Sequence, residues 1–561
     1  MTEITAVDYL SDLDNITASD GLVVLVKNHS SNVESEALFY VYDSNQLDTN
    51  NGGTIYNGWI AQLHGYVTPE MFGAINSNRN VASTNTTAFN LALDFINSEN
   101  GLHLKIPVGT YYVDGVLTIY SSTVVHGNYT QLSSKGSVIR FTTSSAKFFF
   151  NNALGTIFKE LMCYHEASDG VIFDWDTETS HNYNYFDSVY CYGGRIGYKV
   201  TRALYIRWFR CRTVTSADAE TACGILFSGI TNERKIDAPE ILQCSFSGQD
   251  AVNSTCIKID GAVHSLKIQH TALLYASYGL RTINSASTSI FPKFIYISDS
   301  GTENCLIGMS FEAGNNIKLS NIYASNTTTE LSNAAINTES EFEGELSITN
   351  AEITGSHQIG ARFLGGNIRL NNSWIGNTGE SDIEGVGIRL GDVNSAIIIG
   401  NRIGNKSTEG GAYQAYGIQF SFTSSVGDGI IIKDNDMRAN LNSSFNSLST
   451  AIHAKISDNF TVETVDYVAN SITEDGTTSL SLVVARYILN NASSLTSYTL
   501  VLPTNPLDGH TIEISFTNAI TTLNLSSSIT INNNISTLSI SAMQTFKIQY
   551  RAASTRWYIL L

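Results

Sequence analysis

The residues best equipped for chemistry lie in the middle of a 561-residue chain. Phe294–Gly308 reads FIYISDSGTENCLIG and puts Asp299 and Glu303 just after a short apolar strand. One repeat earlier, Ile268–Leu273 (IQHTAL) sets His270 opposite Asp299. A histidine beside a carboxylate tunes its pKa or positions a ligand. A solvated turn with an Asp cap accounts for the same residues. Glu240, with Asp250 in the same loop, is a second candidate. A third is Asp169–Glu178 (DGVIFDWDTE), where Asp174, Asp176 and Glu178 surround Trp175. That cluster suits a cation held by carboxylate oxygens, or a plain exposed loop. Glu341, Glu343 and Glu345 alternate along one strand and read as solvent-facing. Two carboxyl groups about 5 Å apart support retaining cleavage of a glycosidic bond, and roughly 6.5–9.5 Å supports inversion.

Ligand-contacting residues cluster upstream. Tyr183–Gly194 (YNYFDSVYCYGG) packs four tyrosines together, among them Tyr183 and Tyr185. Arg202–Arg212 (RALYIRWFRCR) interleaves Arg202, Arg207, Arg210 and Arg212 with Tyr205 and Trp208. Guanidinium groups among flat aromatic faces suit carboxylated sugars. Ion pairing between subunits explains the run equally well. Tyr275, Arg281 and His270 complete the binding set. Lys258, Arg281 and His270 also leave open a β-elimination, in which a base removes the proton next to a uronic acid carboxylate.

Composition bounds what can carry these residues. The chain is too long for one ordinary core, so it holds several domains or one elongated repeat. Only 15% of residues are charged and 6 are proline, whereas glycine (43), tyrosine (27) and phenylalanine (25) are plentiful. That suits many short strands joined by polar turns. A formal net charge of −19 argues against nucleic-acid binding. The seven cysteines, all between Cys163 and Cys305, show no CxxC or CxxH spacing. A zinc site is not expected, nor any cofactor; the thiols read as free and core-buried, made in a reducing compartment. No apolar run approaches a membrane span. Met1–Leu10 lacks the basic start and apolar core of a signal peptide, so export would need lysis or a virion.

The positioning elements follow from periodicity. Residues 1–64 alternate apolar and polar as a small β subdomain, with strands in Gly21–Lys27 and Ala37–Asp43, a turn at Asn51-Gly52-Gly53 and a short strand at Trp59-Ile60. Ala88, Leu91, Ala92, Phe95 and Ile96 predict a helix capped by Asn85 or Thr84 and ended by Gly101. Residues 65–112 comprise this helix and a first rung. From there to about residue 470 helical periodicity fades, and a degenerate repeat of short strands and polar corners runs from Ala222 to about Phe460. Its corner recurs at Asn321, Asn350, Asn372, Asn401 and Asn435, in steps of 29, 22, 29 and 34 residues. Such self-similarity without helix predicts a parallel β-helix. Residues 480–561 alternate as a separate antiparallel β-sandwich.

Val67–Ala74 (VTPEMFGA), the helix with Thr87, Ala88, Leu91 and Ala92, and Ile106–Val113 (IPVGTYYV) resemble the opening of the pectate-lyase-like β-helix family, and of phage tailspikes within it. Pro503–Phe516 and the closing RWYIL look like the small β domain that ends many tailspikes. The resemblance covers the opening segment closely and the rungs by pattern. The family's Gly-Asp-Gly run is replaced by Ile75–Asn80 (INSNRN), and a long virion-anchoring domain is not evident, which suggests truncation or attachment through another protein.

The resemblance implies an all-β chain: a right-handed parallel β-helix whose helix caps the N-terminal end, with the C-terminal β-sandwich serving trimerisation or carbohydrate binding. It further implies a homotrimer on a phage tail, acting at the host bacterial surface. There it would bind and depolymerise capsular or other surface polysaccharide, without nucleic acid or membrane insertion. A tailspike-like rung often carries an acid where Glu303 stands. Endo-glycosidic hydrolysis is the leading chemistry; a lyase and a non-catalytic receptor-binding protein are the alternatives.

Overall fold

The computed structural model describes residues 4–99, 101–129, 136–176, 181–215, 222–229, 231, 235–285, 290–325, 334–354, 358–376, 385–405, 414–422, 429–440, 442–446, 455–457, 459–461, 468–480, 486–504, 506, 509–532 and 537–560. The chain divides into two compact units, Met1–Glu303 and Asn304–Leu561. No helix among the described residues is long and apolar enough to cross a membrane.

The first unit opens with a five-stranded sheet ordered Thr5–Tyr9, Val23–Asn28, Leu38–Tyr42, Trp59–Ala61, Ile55–Tyr56. The helix follows, over Ala82–Ser98, beginning before the expected cap. Asn85 lies inside it, fully buried, and accepts from the Ile75 N–H at 2.7 Å while donating to the carbonyls of Ile75 and Tyr112. The side chain expected as a cap therefore ties the helix to the chain beneath it. The buried stripe runs through Ala88, Phe89, Ala92, Leu93 and Ile96, rotated from the predicted one, with Phe89 edge-on to Tyr111.

From Tyr66 to Glu303 the unit winds as a parallel β-helix. Each turn contributes to three sheets, and equivalent strands pair in parallel, as in Tyr185↔Arg207 and Arg207↔Glu240. Stacking brings inward side chains into columns. One runs Phe158, Phe186, Trp208, Ile241, Ile268, Ile297, all buried. Beside it Phe148, Phe173 and Tyr198 stack at 5.1 and 4.9 Å. Each such side chain contributes about 1.5–3 kcal/mol by leaving water. All seven cysteines are buried.

The second unit repeats this plan between Ile307 and Thr461. Here the asparagine corner splits into two columns. Asn321, Asn350 and Asn372 occupy the bend itself, with φ of 51°, 55° and 49°, which Gly400 and Asp434 continue. Asn401 and Asn435 sit one residue later and are buried. There Asn401 N–H donates to Asn435 Oδ1 at 2.9 Å, and Asn435 N–H to Asn459 Oδ1 at 3.0 Å. The outer set uses the tolerance of asparagine for the left-handed region; the inner set uses its amide to satisfy backbone along the axis.

The C-terminal region corrects the expectation of an antiparallel fold. Val468–Ile472, Arg486–Asn491 and Thr511–Phe516 pair in parallel. Thr477–Ser479, Leu495–Val501 and Ile520–Ser526 do so in a second sheet. The chain alternates between the sheets, so each strand returns to its own sheet in the same direction. Among the described residues of this region, antiparallel pairing is confined to Thr537–Ile540, Thr545–Arg551 and Arg556–Leu560 with their neighbours. Leu489, Leu500, Ile514, Leu523 and Trp557 share the core between them.

His510 is buried near Trp557, and burial lowers its pKa to about 4. The unfolded chain takes up a proton near pH 6.5 that the folded chain refuses. Stability is therefore held above pH 6.5 and lost as pH falls towards 4. Between pH 7 and 5 the loss is about 2 kcal/mol. His510→Gln is expected to reduce it by that amount, read from urea unfolding at both pH values.

Candidate functional site

Outward positions of the first sheet form a row at rung spacing, about 4.8 Å per step: Tyr185, Arg207, Glu240, Lys267, Tyr296. Each faces solvent because its strand neighbour, such as Trp208 or Ile241, faces the core. Glu240 lies between two cations, 3.6 Å from Arg207 and 3.2 Å from Lys267. Asp187, two residues after Tyr185, accepts from Arg210 at 2.8 Å and Ser188 Oγ at 2.8 Å. The Tyr185 hydroxyl points at the same carboxylate, 3.4 Å away. Burial, and then the Asp187 charge, raise the Tyr185 pKa.

Two columns of left-handed corners border this row. On one side Tyr183 and Tyr205 stack at 5.3 Å with planes 10° apart, exposed by 65% and 54%. Their φ values of 59° and 55° are strained for aromatic residues. The other column carries Glu160, Ser188, Arg210, Gln243, His270 and Asp299, all with positive φ. The first-sheet register Gln269↔Ser298 and second-sheet register Ala272↔Gly301 put His270 and Asp299 at one corner on adjacent rungs. The His270 N–H donates to Ser298 O at 3.2 Å.

The candidate residues thus fall into groups. Tyr183, Tyr185, Arg207 and Glu240 share the first-sheet face. His270 and Asp299 share the adjoining corner. Glu303 ends the strand Gly301–Glu303, paired opposite Leu274. Glu303 stands four residues beyond the Asp299 corner, so their backbones lie at most roughly 13 Å apart. Tyr275 occupies a separate left-handed position (φ 50°), and Arg281 lies on the third sheet over the Tyr278 ring at 4.6 Å.

Trp208 is corrected from ligand contact to core. It is fully buried, stacked 5.9 Å from Phe186. The Asp174 cluster is corrected as well. Val171–Trp175 is a strand, Trp175 stacks on Phe150 at 4.2 Å, and Asp174 is neutralised by Lys147 (2.7 Å) and Lys199 (3.2 Å). Glu178 and the Asp250 side chain lie outside the described residues. Among the described residues no group of three or more His, Cys, Asp or Glu is arranged to hold a metal ion.

Sequence reasoning missed Asp187, although the period-two alternation of Tyr185–Gly193 sends it outward beside Tyr185. It also missed a ladder on the second sheet. Tyr112, Arg140, Tyr164 and Tyr192 stack on successive rungs, with the Arg140 guanidinium 4.3 Å from the Tyr164 ring and Glu166 3.3 Å from Arg140.

The fold is that of the parallel β-helix proteins, and phage tailspikes are among the solved structures it resembles. No protein-family model and no curated protein matches the chain. The tailspike gp42 of Acinetobacter phage vb_AbaP_AS12 aligns over 75% of this chain and 73% of its own, at 12% identity and a TM-score of 0.45. Tailspike protein 3 of bacteriophage CBA120 aligns over 90% and 71%, at 14% identity and 0.48. The A-module of the Azotobacter vinelandii mannuronan C-5 epimerase AlgE4 aligns over 70% and 99%, at 12% identity and 0.43.

Proposed function

We propose that this chain is a phage tailspike that binds a bacterial surface polysaccharide along the outward face of its first unit and depolymerises it by endo-glycosidic hydrolysis. The observation that carries the reading is the row Tyr185, Arg207, Glu240, Lys267, Tyr296, bordered by the stacked Tyr183–Tyr205 pair. A ladder of aromatic, cationic and carboxylate groups suits a ligand that repeats along its length. Exposed stacked rings offer flat faces for sugar rings, while guanidinium and carboxylate groups bind hydroxyls and acid groups.

In this reading Asp299 is the acting carboxylate and His270, one rung away, positions it. Glu303 meets the sugar on the second-sheet side. The row holds two tyrosines, Tyr185 and Tyr296, and elimination is disfavoured at the first of them. A raised Tyr185 pKa is the wrong direction for a group that must accept a proton from carbon. The same reading has Ala82–Ser98 cap the solenoid, three chains assemble, and the assembly ride on a phage tail. Digestion of purified polysaccharides from a panel of candidate bacteria tests it. Shortened chains are expected from at least one host, and unchanged chain length across the panel would remove the enzymatic part.

A further inference from the structure

The second unit holds a cavity of about 330 Å3 that none of the chemistry above uses. That volume lies at the lower end for small-molecule sites. Asn315, Glu343, Glu345, Asn367, Arg369 and Ser395 line it. Register explains the grouping: Glu345, Asn367 and Ser395 occupy one outward column on three successive rungs. Arg369, two residues beyond Asn367, reaches back to Glu345 at 3.4 Å. Ser395 Oγ donates to Asn367 Oδ1 at 2.8 Å. Gly344, between the two glutamates, packs so closely on the Gly314 carbonyl that no Cβ fits there. The edge carrying Glu343 and Glu345 is therefore fixed by backbone contact.

The geometry points to a binding site for a neutral saccharide of one or two sugar units in this cavity. Carboxylates accept, the guanidinium donates, and the amides and hydroxyl do both. That mixture matches vicinal hydroxyls, each of which donates and accepts. Two carboxylates against one guanidinium leave a net negative lining, which repels acidic sugars. Among the described residues no aromatic side chain lines the cavity, so recognition here rests on hydrogen bonds, unlike the first-unit face.

Saturation-transfer NMR on the full chain tests the site, with lactose, cellobiose and maltose as neutral probes and a uronic-acid disaccharide as the charged one. The readout is binding, so the result is independent of whether the chain depolymerises anything. At least one neutral disaccharide is expected to bind, and the acidic one about tenfold more weakly. Ser395→Trp fills the cavity, and the signal of this site is the difference between the parent chain and Ser395→Trp, in which sugar held on the first-unit face cancels. Arg369→Ala, at a side chain 58% exposed, keeps the fold and is expected to weaken binding about tenfold. The proposal is overturned if that difference signal is absent for all three neutral probes, if it is equal or stronger for the acidic one, or if Arg369→Ala leaves it unchanged.

Discussion

Replacing Trp208 by alanine is expected to destabilise the first unit by about 3–5 kcal/mol, the usual cost of emptying a large buried aromatic site. The indole lies in a column between Phe186 and Ile241, edge-on to Tyr198 at 5.7 Å and Phe227 at 5.7 Å. Its removal takes one ring contact each from Phe186, Tyr198 and Phe227 and leaves Ile241 facing a void, and a parallel stack cannot close the gap without shifting its register. Among the described residues the indole N–H has no hydrogen-bond partner. Trp208→Phe therefore sheds an unsatisfied donor while keeping most of the ring, and is expected to cost less than about 1.5 kcal/mol. Chemical unfolding followed by tyrosine fluorescence measures both. Polysaccharide binding by Trp208→Phe is expected to equal that of the parent chain, because the side chain never reaches the surface. A small effect of Trp208→Ala on stability, with lost binding, would return the residue to the ligand.

Asp299→Asn is expected to lower kcat for polysaccharide cleavage by a factor of about 100 or more, the scale of a lost general acid or base, with binding kept. Asp299 sits at a left-handed corner one rung from His270, a fixed place for a proton-transferring group. Glu303→Gln is expected to act mainly on KM, since Glu303 stands beyond the corner, on the second-sheet strand. Glu240→Gln provides the contrast. That carboxylate lies between Arg207 and Lys267, so its loss leaves two cations facing each other. Its effect should fall on binding and its salt dependence, and far less on kcat. Steady-state rates and equilibrium binding of the three variants separate these roles. A Glu240→Gln variant that loses turnover while Asp299→Asn keeps it would move the chemistry to the first-sheet face.

Much of this architecture can be read from the residues. The strand and corner alternation in Ile317–Asn326 and Ile397–Asn405 announces a rung, and the stacking of His270 on Asp299 follows from the repeat. What escapes is one-residue register. Asn372 and Asn401 look alike in sequence, yet one bends the chain at the surface and the other bonds inside, because the left-handed residue shifts to Gly400. Trp208 was misplaced for a related reason. Arg207, Trp208 and Phe209 read as one basic-aromatic surface, but a strand sends Arg207 outward and Trp208 inward. The C-terminal strands alternate as clearly as any, and alternation alone carries no information on whether neighbours run parallel. The cavity in the second unit joins residues from separate rungs through a turn, a proximity that no local pattern records.

Digestion of surface polysaccharide, followed by mass and ultraviolet spectra of the products, tests the central claim most directly. The account predicts saturated oligosaccharides of whole repeat units, each with the mass of its repeats plus one water, released by Asp299→Asn at about a hundredth of the parent rate or less. Products absorbing in the ultraviolet would replace hydrolysis by elimination. Polysaccharide that is bound but uncut across the panel would contradict the account, leaving a β-helix that holds a glycan without cleaving it.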